Sequence, residues 1–377
     1  MNAPLAPSSA PRWEQCAGSV ALAARYPEDD TPESLAGTAA HWAAFEVASC
    51  RQVDVGVIAP NGVVLTEEMC DGADIYAETI AARMTSTSSL NLETTIPCKT
   101  IHEHCWGTPD AWIVDRASRR LTVLDYKFGH RLIDPFEAWQ LVAYTSGIID
   151  LLDLTGLDDQ HWTVRLAIIQ PRGYHRDGPV RCWDIRMSDL RPYFNRLATS
   201  AAAAMEPGAT CTAGPECDYC PGRHACETLQ RSAYRVADLA SASVPLDLSD
   251  DAMARELQLL QRSADLLKAR ITGLSAQVQG ALRAGRRVPG YALQQDLGRE
   301  RWARPIDEVI TLGQMLGIDV SKPGAITPKQ AVAKGLTADV VQMYSETPLG
   351  EVKLVADGTK LAAVFGGAAR TTPTTTA

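Results

Sequence analysis

The sequence contains no run approaching ~18 consecutive apolar residues, the length a membrane-spanning helix needs. Its opening, MNAPLAPSSAPRW, has neither a basic stretch nor an apolar core, so it does not read as a secretory signal. No G-x-x-x-x-G-K-[ST] segment occurs, which excludes a built-in P-loop motor, and no internal repeat is visible. Basic residues are in deficit: the formal net charge is −9. That balance speaks against a protein that coats nucleic acid by bulk attraction, but it leaves room for a local basic groove. These absences lead us to expect a cytoplasmic protein with no membrane association. At 46% hydrophobic and 21% charged residues, its composition is that of an ordinary globular chain.

What is present is a length of 377 residues, enough for two domains. Residues 1–12, rich in Pro, Ala and Ser, are expected to be flexible. Apolar spacing predicts helices from Ser34 to Cys50, after the Thr31-Pro32 pair, and from Thr66 to Met84. Three strand-like segments follow (LNLETTIPC, GTPDAWIVD, RRLTVLDYKFG), the last two joined by the turn DRASRR. The segment DPFEAWQLVAYTSGIIDLL has helical spacing that puts Phe136, Leu141, Tyr144 and Ile148 on the buried side. TVRLAIIQPRG reads as a strand and SDLRPYFNRLATSAAAAM as a helix. This order predicts an α/β (α+β) domain over residues 13–235, with a mixed central sheet flanked by helices. Residues 236–368 read as a long amphipathic helix and a small α+β appendage, and residues 369–377 as a disordered tail.

A hairpin through DRASRR would bring Asp110 and Asp125 to one end of the sheet, where two carboxylates can share a hard divalent cation. The backbone carbonyl of Tyr126 can add a ligand. Lys127 lies two residues beyond Asp125, so strand alternation points both side chains to one face. An ammonium there can orient an attacking water and stabilise negative charge in a transition state. The set suits Mg²⁺- or Mn²⁺-assisted phosphodiester hydrolysis. A lone Asp-x-Lys is common and each residue has a bland reading as a turn cap or solvated charge; the combination on neighbouring strand ends is not common. His41, in GTAAH, is a further candidate metal ligand, better suited to Mn²⁺ than to Ca²⁺. Gln140 and Tyr144 share a helix face and are candidate contacts to the DNA backbone.

Taken in order, GTAAH with His41, GTPDAW with Asp110, LDYKFG with Asp125 and Lys127, and AWQLVAY with Gln140 and Tyr144 resemble the RecB-type branch of the PD-(D/E)XK nucleases over roughly residues 8–230. The chain looks closest to an uncharacterised phage and prophage domain family placed in that superfamily. The resemblance implies Asp110 and Asp125 as metal ligands, Lys127 as the catalytic lysine, His41 as an extra ligand, and Gln140 and Tyr144 as a Gln-x-x-x-Tyr motif. Relatives often carry a Glu one turn after the His. Here position 45 is Phe, and the neighbouring Glu46 is given no role.

Of ten cysteines, Cys50, Cys70, Cys98, Cys105 and Cys182 are scattered, while Cys211, Cys217, Cys220 and Cys226 crowd into sixteen positions. The local reading is a four-thiolate Zn²⁺ site made by those four. Cys16 is the alternative fourth ligand. SSAPRWEQCAGS and the Cys-x2-Cys-x5-Cys triplet resemble the cysteine motifs of AddB-like nucleases, which implies a [4Fe–4S] cluster on Cys16, Cys217, Cys220 and Cys226. The match at both ends favours the cluster.

From Arg283 to Arg304, six arginines face only Asp296 and Glu300, with Tyr291 and Trp302 interleaved: a DNA-backbone patch or a solvated surface. The functional expectation is a metal-dependent DNA nuclease, an exonuclease in phage or prophage recombination or repair, acting on DNA beside a single-strand annealing or single-strand-binding protein. The alternatives are a non-catalytic DNA-binding accessory on the same scaffold and a zinc-stapled structural protein.

Overall fold

The computed structural model describes residues 3–26, 30–154, 159–173, 175–239, 249–297, 301–322, 324–325, 327–346 and 349–356. The chain divides into two compact units, Met1–Gly273 and Leu274–Ala377. The first unit opens with short helices α1 (Ala10–Gln15) and α2 (Ser19–Ala23), then α3 (Pro32–Ala48) and α4 (Glu67–Ala81). Strands β1 (Ser88–Leu92), β2 (Ile96–Pro97), β3 (Trp106–Gly107), β4 (Ala111–Asp115) and β5 (Arg120–Tyr126) come next. Helix α5 (Trp139–Leu151), strands β6 (Thr163–Ile169) and β7 (Val180–Arg186), and helices α6 (Arg191–Met205), α7 (Glu227–Leu239) and α8 (Asp250–Arg283) complete the series.

Five strands form one mixed sheet in the order β1-β4-β5-β6-β7. β5 and β6 run parallel, joined through α5, and the other neighbours are antiparallel. Alternation along β5 sorts the two cores. Leu121 and Val123 face a layer containing Trp13 of α1, Leu141, Tyr144 and Ile148 of α5, and Leu197 of α6. Leu124 and Tyr126 face Ala39, Ala40, Ala43 and Ala44 of α3 and Met69, Ala73 and Tyr76 of α4. The α/β class with a mixed sheet between helical layers is therefore as expected. The four alanines let α3 approach the sheet closely, which matters for its His41.

Helix starts follow local chemistry. Thr31 caps α3 with Pro32 in its first turn, and the Thr31 and Ser34 side chains exchange hydrogen bonds with each other's backbone N–H. Thr66 caps α4. The β4–β5 turn is built around Asp115, whose carboxylate accepts from the Thr85 and Thr87 hydroxyls at 2.9 Å each and from the N–H groups of Ala117 (3.0 Å) and Ser118 (3.2 Å). Burial pushes its pKa up, but these donors outweigh burial and bring it down to about 2. A depressed folded pKa contributes stability above the unfolded value of about 3.9, and that contribution is lost as pH falls through the folded one. Asp115→Asn is therefore expected to be less stable than the wild type at pH 7, the gap closing between pH 4 and pH 2. Urea unfolding at both ends of that window measures it, and a pH-independent gap would contradict it.

Four expectations need correction. Residues 3–12 are not loose: Leu5 and Ala10 are fully buried, and a 3₁₀ turn at Pro7–Ser9 leads into α1, whose Trp13 indole donates to the Ala6 carbonyl at 3.1 Å. Small and apolar residues there fill the core rather than a linker. Phe136 is 56% exposed because α5 starts only at Trp139, which leaves Phe136 outside the helical phase. Strand β7 was not foreseen, since an edge strand needs only a loose alternation and VRCWDIR carries three charges. The unit also runs past residue 235 to Gly273, because Leu266 and Ala269 of α8 pack on Leu229.

In the second unit, Val309, Val320, Ala331, Leu336 and Val341 make a small core. Two of its strands lie in VPGYALQQDLGRERWARP, and each pairs with a later segment. Tyr291–Leu297 pairs with Leu349–Ala356, and Arg301–Trp302 with Ser345–Glu346. Arg283, Arg286, Arg287 and Arg304 are exposed. Residues 369–377 lie outside the described residues.

Candidate active site and cysteine centre

The register of β4 on β5 pairs Ala111 with Leu124, so the next step toward the sheet end sets Asp110 opposite Asp125. The register of β1 on β4 pairs Leu92 with Ala111, which sets Glu93 opposite Asp110 on the other side. Three carboxylates thus lie in one cross-strand row. Glu93 leaves its strand with φ at +44°, a left-handed conformation that costs a non-glycine residue on the order of 1 kcal/mol, and its N–H donates to the Asp110 carbonyl at 3.1 Å.

Each helical layer adds side chains to this row. From α3, His41 Nδ1 lies 3.2 Å from Asp110 Oδ1, with its ring edge-on to Tyr126. The other Asp110 oxygen accepts from the Tyr126 N–H at 2.6 Å. His41, Glu93 and Asp110 offer ligand atoms all within 4.8 Å of one another. Facing α5, Asp125 Oδ2 lies 2.9 Å from Lys127 Nζ. Gln140 closes a ring, donating from Nε2 to Asp125 Oδ1 at 2.9 Å and accepting the Lys127 ammonium on Oε1 at 3.0 Å. Asp125 Oδ2 is buried, and the Lys127 ammonium is what holds it.

The charges are strongly coupled. Burial lowers the pKa of Lys127, but Asp125 and Asp110 outweigh it and leave it raised, so the amine is held as an ammonium. Burial works the same way on His41 and is outweighed by Asp110, which leaves the imidazole pKa raised. Asp110 is pushed up by burial, yet His41, Lys127 and the Tyr126 N–H bring it below the usual carboxylate range. Asp125 stays above that range through burial and the charge of Asp110, despite Lys127. Glu93 reaches the surface, but its desolvated setting and Asp110 push it up to about 7.

Asp110, Asp125, Lys127, His41 and Gln140 thus come together, while two expected roles shift. The Gln140 amide is occupied by Asp125 and Lys127, so its first role is to orient them. Tyr144 is only 4% exposed and packs beside Gly107, behind Gln140 rather than at the surface. Glu46 pairs with Arg51, consistent with giving it no role. Sequence reasoning missed Glu93. Its signal was the strand segment LNLE, unreadable without knowing that β1 lies beside β4.

Cys16, Cys211, Cys217, Cys220 and Cys226 line one cavity of about 130 Å³, together with Arg12, Arg223 and Arg262. Gly18 allows this approach. Its N–H donates to the Thr210 carbonyl at 2.9 Å, and a Cβ there would sit 2.6 Å from the Cys211 nitrogen. Backbone N–H groups select among the thiols: Thr212 donates to Cys16 Sγ at 3.2 Å, and Gly214 to Cys217 and Leu229 to Cys226 at 3.4 Å each. The Gly222 N–H serves Cys220. Among the described residues none serves Cys211, whose thiol is pushed up to about 12 by burial and by Cys16 and Cys226. Nor do any three of the five sulfurs lie within 4.8 Å of one another. The family model described as "Protein of unknown function (DUF2800)" matches residues 2–354, and the chain belongs to that family.

Proposed function

We propose that the chain is a Mg²⁺- or Mn²⁺-dependent deoxyribonuclease of PD-(D/E)XK type, an exonuclease serving phage or prophage recombination or repair. The observation that carries this reading is the Lys127–Asp125–Gln140 ring adjoining His41, Glu93 and Asp110 at one sheet end. Two carboxylates and an imidazole within 4.8 Å, beside the buried Asp125 carboxylate, fit a hard divalent cation. Bound there, the ion would polarise the scissile phosphate and acidify the attacking water. The chain's own residues do the remainder. The Lys127 ammonium holds the water and offsets charge that builds on the phosphate, and Gln140 keeps that amine aligned with Asp125. An amine kept charged acts here by electrostatics rather than as a base.

The cysteine centre supports a [4Fe–4S] cluster over zinc. N–H donors on Cys16, Cys217, Cys220 and Cys226 suit a four-thiolate group, with Cys211 outside it. Such a group would act as a staple between the two ends of the domain.

The test is a time course on end-labelled linear and on closed circular DNA with Mg²⁺, Mn²⁺ or EDTA. Degradation of linear DNA with either metal, absent in EDTA and in Asp110→Ala, is expected. DNA binding insensitive to EDTA, with no cleavage under either metal, would instead favour a binding or annealing accessory. No DNA binding at all would overturn both.

A further inference from the structure

Directly after β6 comes Gln170, a polar side chain with no exposed surface. β5 pairs Asp125 with Ile168 and Tyr126 with Ile169, and the Lys127 N–H donates to the Ile169 carbonyl at 2.8 Å. The next step sets Gln170 beside Lys127, on the face that Ile168 shares with α5. Beyond Lys127 the chain leaves the sheet and crosses to α5, so its backbone groups lose the strand ladder and need other partners. The Gln170 amide supplies three of them. Its Nε2 donates to the carbonyls of Gly129 at 2.7 Å and Arg131 at 2.6 Å, and its Oε1 accepts from the Ile133 N–H at 3.3 Å. Buried Arg181 of β7 donates to the same Oε1 and so fixes which way round the amide lies. Ile133, half-buried, packs against the same core as α5.

The far end of this connection carries Gln140, in the first turn of α5. Among the described residues no side chain caps that turn, and Glu137, just before it, has φ at +54°, the left-handed region that favours glycine. A helix start of this kind gets little support from its own turn, so the segment leading into it sets its place. The Tyr193 hydroxyl holds the Glu137 carboxylate at 3.2 Å, and Gln170 holds the stretch before it. We propose that Gln170 is a positioning residue: by holding residues 129–133 it fixes the first turn of α5, and with it the Gln140 amide against Asp125 and Lys127. The Gln170 amide is taken up by the segment and by Arg181, so its effect on the reaction passes through Gln140. Two substitutions that act through one group fail to add, whereas independent ones multiply. The effect on rate rests on the nuclease reading; the placement of Gln140 does not.

The experiment is hydrogen exchange read by mass spectrometry on the full-length protein, with single-turnover cleavage in Mn²⁺ and DNA binding in EDTA beside it. Gln170→Met keeps the volume and removes the three bonds to the segment. Exchange over residues 129–142 is expected to rise about tenfold or more, with that of β5 unchanged. Cleavage is expected to fall about fivefold with DNA binding unchanged. Gln140→Ala/Gln170→Met should be about tenfold down, no slower than Gln140→Ala alone. Arg181→Met, which leaves the three bonds in place, is the control for stability: a lower melting temperature, with cleavage within about twofold of wild type. Unchanged exchange over residues 129–142 overturns the proposal, as does undiminished cleavage by Gln170→Met. So does a double variant about fiftyfold down, or cleavage as slow in Arg181→Met as in Gln170→Met. A wild type inactive with both metals sinks the nuclease reading alone, and raised exchange at the Gln140 turn in Gln170→Met still carries the placement.

Discussion

Lys127→Ala is expected to lower Mn²⁺-dependent DNA cleavage by about a hundredfold to a thousandfold, the usual effect of removing a positioned group that stabilises transition-state charge. The same variant should bind DNA in EDTA nearly as well as the wild type, because one amine contributes little to the overall affinity for phosphates. The difficulty is that Lys127 also neutralises Asp125, which is buried and, among the described residues, otherwise held by Gln140. Removing one partner of a buried pair can cost about 3–5 kcal/mol, so lost activity could be confused with lost structure. Lys127→Met, which keeps the stem and drops the charge, and Lys127→Arg, which keeps the charge and changes the shape, separate the two. If charge at this position is what matters, the arginine variant recovers part of the rate and the methionine variant none, at equal thermal stability. Cleavage within tenfold of wild type in a folded Lys127→Ala protein would remove Lys127 from the site. Gln140→Ala should fall between these limits, about tenfold down, since it orients the pair without touching the phosphate.

The site was legible to the extent that its residues are close in sequence. Asp110, Asp125 and Lys127 share one hairpin, so strand alternation and a turn were enough to bring them together. His41 was read from its setting in a helix of small residues, and the structure supplies the reason for them: the alanines on either side allow α3 to sit close enough for the imidazole to reach Asp110. Glu93 was out of reach because it joins the row only through the pairing of β1 with β4, a contact no local pattern encodes. Gln140 was placed correctly but assigned to DNA. A helix face gives direction and not distance, and its amide lies near enough to bond two ionised groups at once. The errors in the fold have a similar origin. Burial of Leu5 and exposure of Phe136 are both decided by tertiary packing, which overrides the composition of one segment and the apparent phase of the other.

The five cysteines lead to the second large expectation. Cys220→Ser is expected to abolish brown absorbance near 400 nm in anaerobically purified protein, while Cys211→Ser retains it. The argument is electrostatic. A thiolate that accepts a backbone N–H is stabilised as the anion, and anionic sulfur is what iron takes as a ligand. Four of the five sulfurs have such a donor, and Arg12, Arg223 and Arg262 line the same cavity with positive charge. Burial and neighbouring thiols raise Cys211, Cys217 and Cys220 alike, but among the described residues Cys211 has no N–H donor to offset them. Proximity in sequence would have selected Cys211 and left out Cys16; hydrogen bonding reverses that choice. Because a cluster joining Cys16 to the triplet would close a loop of about 200 residues, its loss should remove about 5 kcal/mol of chain-entropy stabilisation. Cys16→Ser should therefore lower the melting temperature as much as Cys220→Ser does, and Cys211→Ser should leave it near the wild-type value. Colourless wild-type protein with one equivalent of zinc, lost in Cys211→Ser and kept in Cys16→Ser, would reverse the assignment and make the centre a local one.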